Sequence, residues 1–112
     1  MLGITLRGMR AEALKGHLDG MILAVLGSAP AHGYAVIETL KERSGGMFDL
    51  PEGTVYPALH RLEAEGLLES DWIDAGGRRR RVYRLTRRGR AALGARRSEW
   101  REFAHAVDGV LA

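Results

Sequence analysis

Residues 76–81 read GGRRRR, four guanidinium groups placed directly after a pair of glycines. That combination suits a polyanion, because arginines seek phosphates or a narrow minor groove and glycines let a hairpin tip adapt to a duplex. A second set of candidate contacts lies in TVYPALHRLEAEGLL, residues 54–68. On a helical wheel Val55, Ala58, Leu59, Leu62 and Gly66 share one side, and Tyr56, Pro57, His60, Arg61 and Ala64 share the other, with Thr54 at the edge. The second side has major-groove chemistry. Arg61 can bond guanine or a phosphate, His60 and Thr54 can bond phosphates or base edges, and Tyr56 can reach a phosphate with its hydroxyl. Ala64 is small enough to let a helix come close. Glu63 and Glu65 fall on the flanks, where they are expected to be solvated charges that do not face DNA.

The charge distribution supports a polyanion partner. The 112 residues carry a net charge of +3, but residues 78–101 hold 11 of the 17 basic side chains and only one acidic one, Glu99. Residues 1–77 are the reverse, with 6 basic and 11 acidic side chains. A solvated charged face would give the same composition, so the charge counts only together with the neighbouring motifs.

Other chemistries find little support. His17, His32, His60 and His105 are scattered, no two lie four residues apart, and no nucleophile–base or paired-carboxylate constellation emerges. The absence of cysteine removes thiolate nucleophiles, disulfide frameworks and Cys-based zinc sites and agrees with a reducing compartment. No catalytic residue, metal ligand set or cofactor is expected. The longest apolar run, Met21 to Leu26, is too short for a membrane span, and MLGITLRGMR lacks a signal-peptide core, so a cytoplasmic protein with no membrane partner is expected.

These residues need a scaffold. Leu14, Leu18, Met21, Ile22, Val25 and Leu26 form one stripe on a helix over about 12–27. GSAPAHG breaks it, and YAVIETLKERSGG reads as a second short helix with its stop. The third helix carries the residues above and ends at Gly66, suited to the left-handed position after a helix. LLESDWIDA and RVYRLT then read as strands joined by GGRRR, with Tyr83 and Leu85 on one face. Thr86 can cap a last helix of about 26 residues, roughly 39 Å long.

That last helix carries Leu93, Trp100, Phe103, Val107 and Leu111 at heptad-like spacing, and only the first helix has comparable apolar surface to offer. A second copy of the chain is the simplest partner, with Leu14, Leu18 and Met21 joining the dimerisation surface. The expected fold is therefore mainly α with a two-stranded β-hairpin: a winged helix-turn-helix over residues 12–86, a long C-terminal dimerisation helix over 87–112, and a flexible N-terminal arm over 1–11.

Pro57 is out of place inside a helix, where proline costs about 3 kcal/mol. If Thr54 caps the helix, Pro57 falls among the first donors, which have no partner anyway, and the cost largely vanishes. If the helix starts near Pro51 or Glu52, the carbonyl of Gly53 loses its partner and the first turn should bend. The earlier start is favoured, since Pro51 suits a first turn and Glu52 suits the positive end of the helix dipole. The flat ring of Pro57 can also approach a thymine methyl without presenting a donor.

Several local motifs appear together in one order. LDGMILAVL, HGYAVIETL at 32–40, GTVYPALHRLEAEGLLES at 53–70 and GGRRRRVYRLTRRG at 76–89 resemble the PadR family of bacterial transcriptional regulators over about residues 16–100. The most specific phrase is T-x-Y-P-x-L-x-x-L-x-x-x-G-L. The short C-terminal segment is similar to the subgroup with a single long helix after the wing. The resemblance implies a homodimeric repressor on a palindromic duplex operator, released by a small molecule.

Two such modules would reach successive major grooves about 34 to 36 Å apart. Tyr34 and His32 could add phosphate contacts at the start of the second helix, although such a tyrosine also suits half-buried packing. Trp100, with Phe103, Leu18 and Met21, could line a site for a planar aromatic effector between subunits; plain packing fits the same spacing. Two rival functions remain: a metal-responsive winged-helix regulator, with ligands meeting across a dimer, and a sequence-neutral architectural DNA binder.

Overall fold

The computed structural model describes residues 5–6 and 9–112, with side chains at Leu14 and from Gly16 onward. The element order is β1 (Thr5–Leu6), β2 (Met9–Arg10), α1 (Ala11–Ser28), β3 (Ala31–His32), α2 (Gly33–Arg43), α3 (Glu52–Ala64), β4 (Leu68–Ala75), β5 (Arg78–Leu85) and α4 (Arg87–Leu111). The arm expected over 1–11 falls largely outside the described residues; within it β1 and β2 pair antiparallel, Thr5 with Arg10 and Leu6 with Met9.

The apolar stripes meet in one core. Ile22, Leu23 and Leu26 of α1, Val36 of α2, Val55, Leu59 and Leu62 of α3, and Leu68 and Tyr83 of the sheet are almost completely buried. Leu14, Leu18 and Leu93, expected at a dimer surface, belong to this core too, at 3%, 6% and 6% exposure. The physical reason is the return of α4 against α1, which covers the first helix from within the same chain. Leu85 shares the buried face with Tyr83, as their alternation predicts.

Helix α3 starts early. Pro51 occupies the N-cap without a side-chain bond, and the amides of Thr54 and Val55 both donate to its carbonyl, at 3.0 and 3.2 Å. Glu52 in the first turn complements the dipole. Pro57 is therefore interior, and the Gly53 carbonyl has no amide four residues on to accept from. The helix closes with Gly66 at φ +80°, where the Leu67 amide donates to the Leu62 carbonyl and the Gly66 amide to that of Glu63. This pair of bonds fixes the exit into β4.

The hairpin turn is tighter than the sequence suggests. Gly76 and Gly77, both with positive φ, form the whole two-residue loop, and Ala75 pairs with Arg78. Arg78 to Arg81 thus stand on β5 and not in the tip. The sheet also has a third strand, because β3 pairs with β5 through Ala31–Tyr83 and His32–Val82, giving the order β3-β5-β4. Two residues between a turn and a helix carry no periodic signal.

Thr86 caps α4, its Oγ1 accepting from the Gly89 amide at 3.0 Å. Gly89 itself sits against the Leu67 carbonyl, and an added Cβ would collide with that oxygen. Gly89→Ala must push α4 off the α3–β4 turn and is expected to cost about 3 kcal/mol, read as a lowered urea midpoint. An unchanged midpoint would show that this packing yields freely.

Candidate nucleic-acid interface

Burying Val55, Ala58, Leu59 and Leu62 turns the other side of α3 outward, so that Gly53, Pro57, His60, Arg61 and Ala64 are exposed and Thr54 is half-buried at the edge. Tyr56 departs from the expected pattern. It is half-buried, packed on the core, and its ring lies so close to Gly33 that any side chain there would collide with it. Tyr56 thus spends its ring on joining α3 to the start of α2.

Arg61 is exposed over half its side chain, yet its Nη2 is bonded to Asp19 of α1, whose carboxylate is mostly buried. This ion pair ties the outward face of α3 to the first helix. Asp19, on the edge of the α1 stripe, was not among the expected site residues; a carboxylate inside so apolar a segment was the available signal.

The arginines of β5 divide by face. Arg81 donates from Nε to Ser70 Oγ at 2.9 Å and from Nη2 to Glu63 Oε1 at 3.0 Å, while the Ser70 hydroxyl donates to Glu63 Oε2 at 2.7 Å. Glu63 is therefore no solvated flank charge: it is the anchor by which α3 holds the wing. Arg84 is held by Glu69 and Asp71 at 3.2 and 2.6 Å. Exposed pairs of this kind contribute about 0–1 kcal/mol each, so their main effect is to neutralise charge. Arg79 stacks over the Trp72 ring at 5.2 Å, Arg80 faces His32, and Arg78 is exposed near the turn. None of Arg78, Arg79 and Arg80 has an ion-pair partner among the described residues.

His32 stands between two donors. Its Nδ1 accepts from the Ala35 amide at 3.2 Å and so caps α2, and its Nε2 lies 2.7 Å from Arg80 Nη1. A neutral ring with Nδ1 accepting carries its proton on Nε2, which cannot then accept from Arg80. The ring serves one partner or the other. Burial, followed by the Arg80 charge, holds its pKa below the ordinary 6.5. Since the unfolded chain takes up the proton first as pH falls, the stability contributed by neutral His32 is present above pH 6.5 and is lost as pH falls through the lower folded pKa. Thermal unfolding of wild type and His32→Asn from pH 7.5 to 5 should therefore converge, the wild type losing more of its Tm on acidification. Parallel curves would remove His32 from the pH response.

Tyr34 is exposed, with its hydroxyl toward Glu38; the Glu38 charge first, and Glu52 last, push its pKa up. Two carboxylates beside it work against a phosphate contact.

A separate groove of about 720 Å³ runs between α1 and α4, bordered by His17, Met21, Phe48, Leu93, Arg96 and Trp100 among others. Trp100 meets His17 edge-on at 5.3 Å and Phe103 at 6.0 Å. Met21, Trp100 and Phe103 line it as the sequence suggests, whereas Leu18 faces the core. His17, one turn before Met21, joins the site unanticipated. Among the described residues no helix is long and apolar enough to cross a membrane, and no three His, Asp or Glu side chains gather as metal ligands.

A sequence model described as the transcriptional regulator PadR-like family matches residues 22–95. The transcriptional regulator Rv3488 of Mycobacterium tuberculosis is 49% identical over 69 residues, covering 62% of this chain and 64% of that protein. A PadR family transcription regulator from Clostridium difficile has a similar structure, with TM-score 0.78 and 31% identity, over 87% of this chain and all of that one. A transcriptional regulator from Clostridium thermocellum superposes with TM-score 0.83 over 91% of this chain and all of its own; at 24% identity that likeness concerns the fold. With the helices, the wing and the long last helix of this structure, the match over most of its length makes the chain a member of the PadR-like family of transcriptional regulators.

Proposed function

We propose that the chain is a homodimeric repressor that binds a palindromic operator in duplex DNA and leaves it when a small planar aromatic compound binds between the subunits. The observation that carries this reading is the exposed face of α3, Pro57, His60, Arg61 and Ala64, tied through Glu63 and Arg81 to a wing with three arginines lacking acidic partners among the described residues. The helix supplies sequence preference in a major groove, and the wing supplies affinity for the flanking phosphates.

Dimerisation is supported by the apolar residues that α4 leaves uncovered. Trp100 and Phe103 are 53% and 58% exposed, and Val110 and Leu111 are more open still. A compound stacked on Trp100 in the α1–α4 groove would change how two such helices meet, and with them the spacing of the two α3 helices.

Footprinting on the DNA upstream of the chain's own gene, with and without a panel of aromatic compounds, tests the whole reading. Two protected half-sites one helical turn apart, lost on adding one of the compounds, are expected. Equal affinity for random DNA at the same salt would replace a specific repressor with a sequence-neutral binder.

A further inference from the structure

Trp72 is a large aromatic left open on the wing. Along β4 one face carries Leu68, Ser70, Trp72 and Asp74, opposite Leu85, Tyr83, Arg81 and Arg79 of β5. Near the body this face is buried, since Leu68 and Tyr83 lie in the core; further out along the strand Trp72 is 55% exposed. The hairpin has outrun its core there, and a bare indole is a poor choice for a solvated rung.

Two guanidinium groups lie against it, with the exposed Asp74 one rung further out on the same face. The guanidinium carbons of Arg79 and Arg81 lie 5.2 and 5.7 Å from the ring, within the range of a cation–π contact. Arg81 is itself fixed by Glu63 and Ser70, so the ring is steadied from the α3 side. Arg79 has no acidic partner among the described residues, and Arg78 and Arg80 stand beside it on the strand. The result is an indole, partly open, flanked by one unpaired and one ion-paired arginine within a few residues of the hairpin turn, and held through Arg81 to α3.

We propose that Trp72 is a DNA-contacting residue of the wing, packing against the sugars that wall the minor groove while Arg79 beside it, with Arg78 and Arg80 of the same strand, holds the phosphates. The proposal rests on the DNA-binding reading above. Charge complementarity selects a nucleic acid as the occupant, since an apolar protein partner would have to desolvate the Arg79 guanidinium on the indole, which has no carboxylate partner among the described residues, next to Arg78 and Arg80 on the opposite face of the same strand. Apolar packing of an indole against deoxyribose is tolerant of sequence and releases no counterions, so its loss has a signature different from the loss of an arginine.

Two measurements on operator duplex test it. In wild type, saturating DNA is expected to quench tryptophan emission and to shield part of it from acrylamide; in Trp72→Phe that DNA-dependent component disappears while Trp100 still emits. Trp72→Ala is expected to weaken binding about tenfold to a hundredfold with the salt slope unchanged, and Trp72→Phe to retain most of the affinity. A reduced salt slope in Trp72→Ala would mean that the ring acts only by holding Arg79, and would overturn the proposal. So would a wild-type emission and quencher access that DNA leaves unaltered. A wild type that binds no duplex overturns the DNA-binding reading as well; one that binds with Trp72 still open overturns this inference alone.

Discussion

Replacing Arg78, Arg79 and Arg80 together by alanine is expected to weaken operator binding about a hundredfold to a thousandfold and to reduce the log–log salt slope by up to about 2.7. The slope follows from about 0.9 per phosphate released from its counterions, and the affinity from roughly 0.9 to 1.4 kcal/mol net per solvent-exposed arginine, within the ordinary range of a net hydrogen bond. The count is three and not five because the ion pairs remove the others. Arg81 is held by Glu63 and Arg84 by Glu69 and Asp71, so neither guanidinium is free for a phosphate unless an existing partner is given up. Arg84→Ala is the control: the same charge is deleted from the same strand, and the slope should stay within about 0.3 of wild type, a third of the effect of one phosphate. Because all three arginines of the triple variant lie on or near the hairpin surface and none enters the core, unfolding should be little changed. Random DNA should lose as much as operator. A slope unchanged in the triple variant would take the wing off the duplex.

The helices and the hairpin were legible because each is written in one period and bounded by turn chemistry. Leu14 to Leu26 repeat every three to four residues, Tyr83 and Leu85 alternate, and Gly66 and Thr86 sit where a helix must stop and another start. Pro57 was legible as a misplaced residue, and the start at Glu52 makes it interior, so that the exposed Gly53 carbonyl has no amide four residues on. What escaped was set by tertiary pairing. Nothing in Ala31–His32 marks a strand, since two residues gain their bonds only because β5 passes beside them. Glu63 looked like an idle charge because its partners, Ser70 and Arg81, are 7 and 18 residues away. A wheel shows direction around the axis but not what stands there, so the packing of Tyr56 against Gly33 and the ion pair of Arg61 with Asp19 were not legible in it. Likewise Leu18 and Leu93 carry the right spacing for a dimer seam, but α1 and α4 of one chain already bury them against each other.

That intrachain packing decides how a dimer should be broken. Substituting Leu18 or Leu93 would unfold the chain and say nothing about a partner, whereas Phe103 and Val110 are 58% and 83% exposed and lie outside the core. Phe103→Glu with Val110→Glu sets two carboxylates on the outward stripe of α4, and across a two-fold axis they would meet desolvated and near their own symmetry mates. The double variant is expected to keep its helical signal and Tm at low concentration while its sedimenting mass falls from twice the 12.3 kDa chain mass to the chain mass itself. Binding to the palindrome should then fall by about a hundredfold to ten-thousandfold, since the second α3 no longer arrives at the effective concentration set by the first. Affinity for an isolated half-site should hardly change, because α3 and the wing remain intact on each chain. This difference between full and half operator separates loss of the dimer from damage to the reading head. A wild type that sediments as a monomer, or a double variant that still prefers the palindrome by the wild-type margin, would remove α4 from the assembly and leave each chain to read DNA alone.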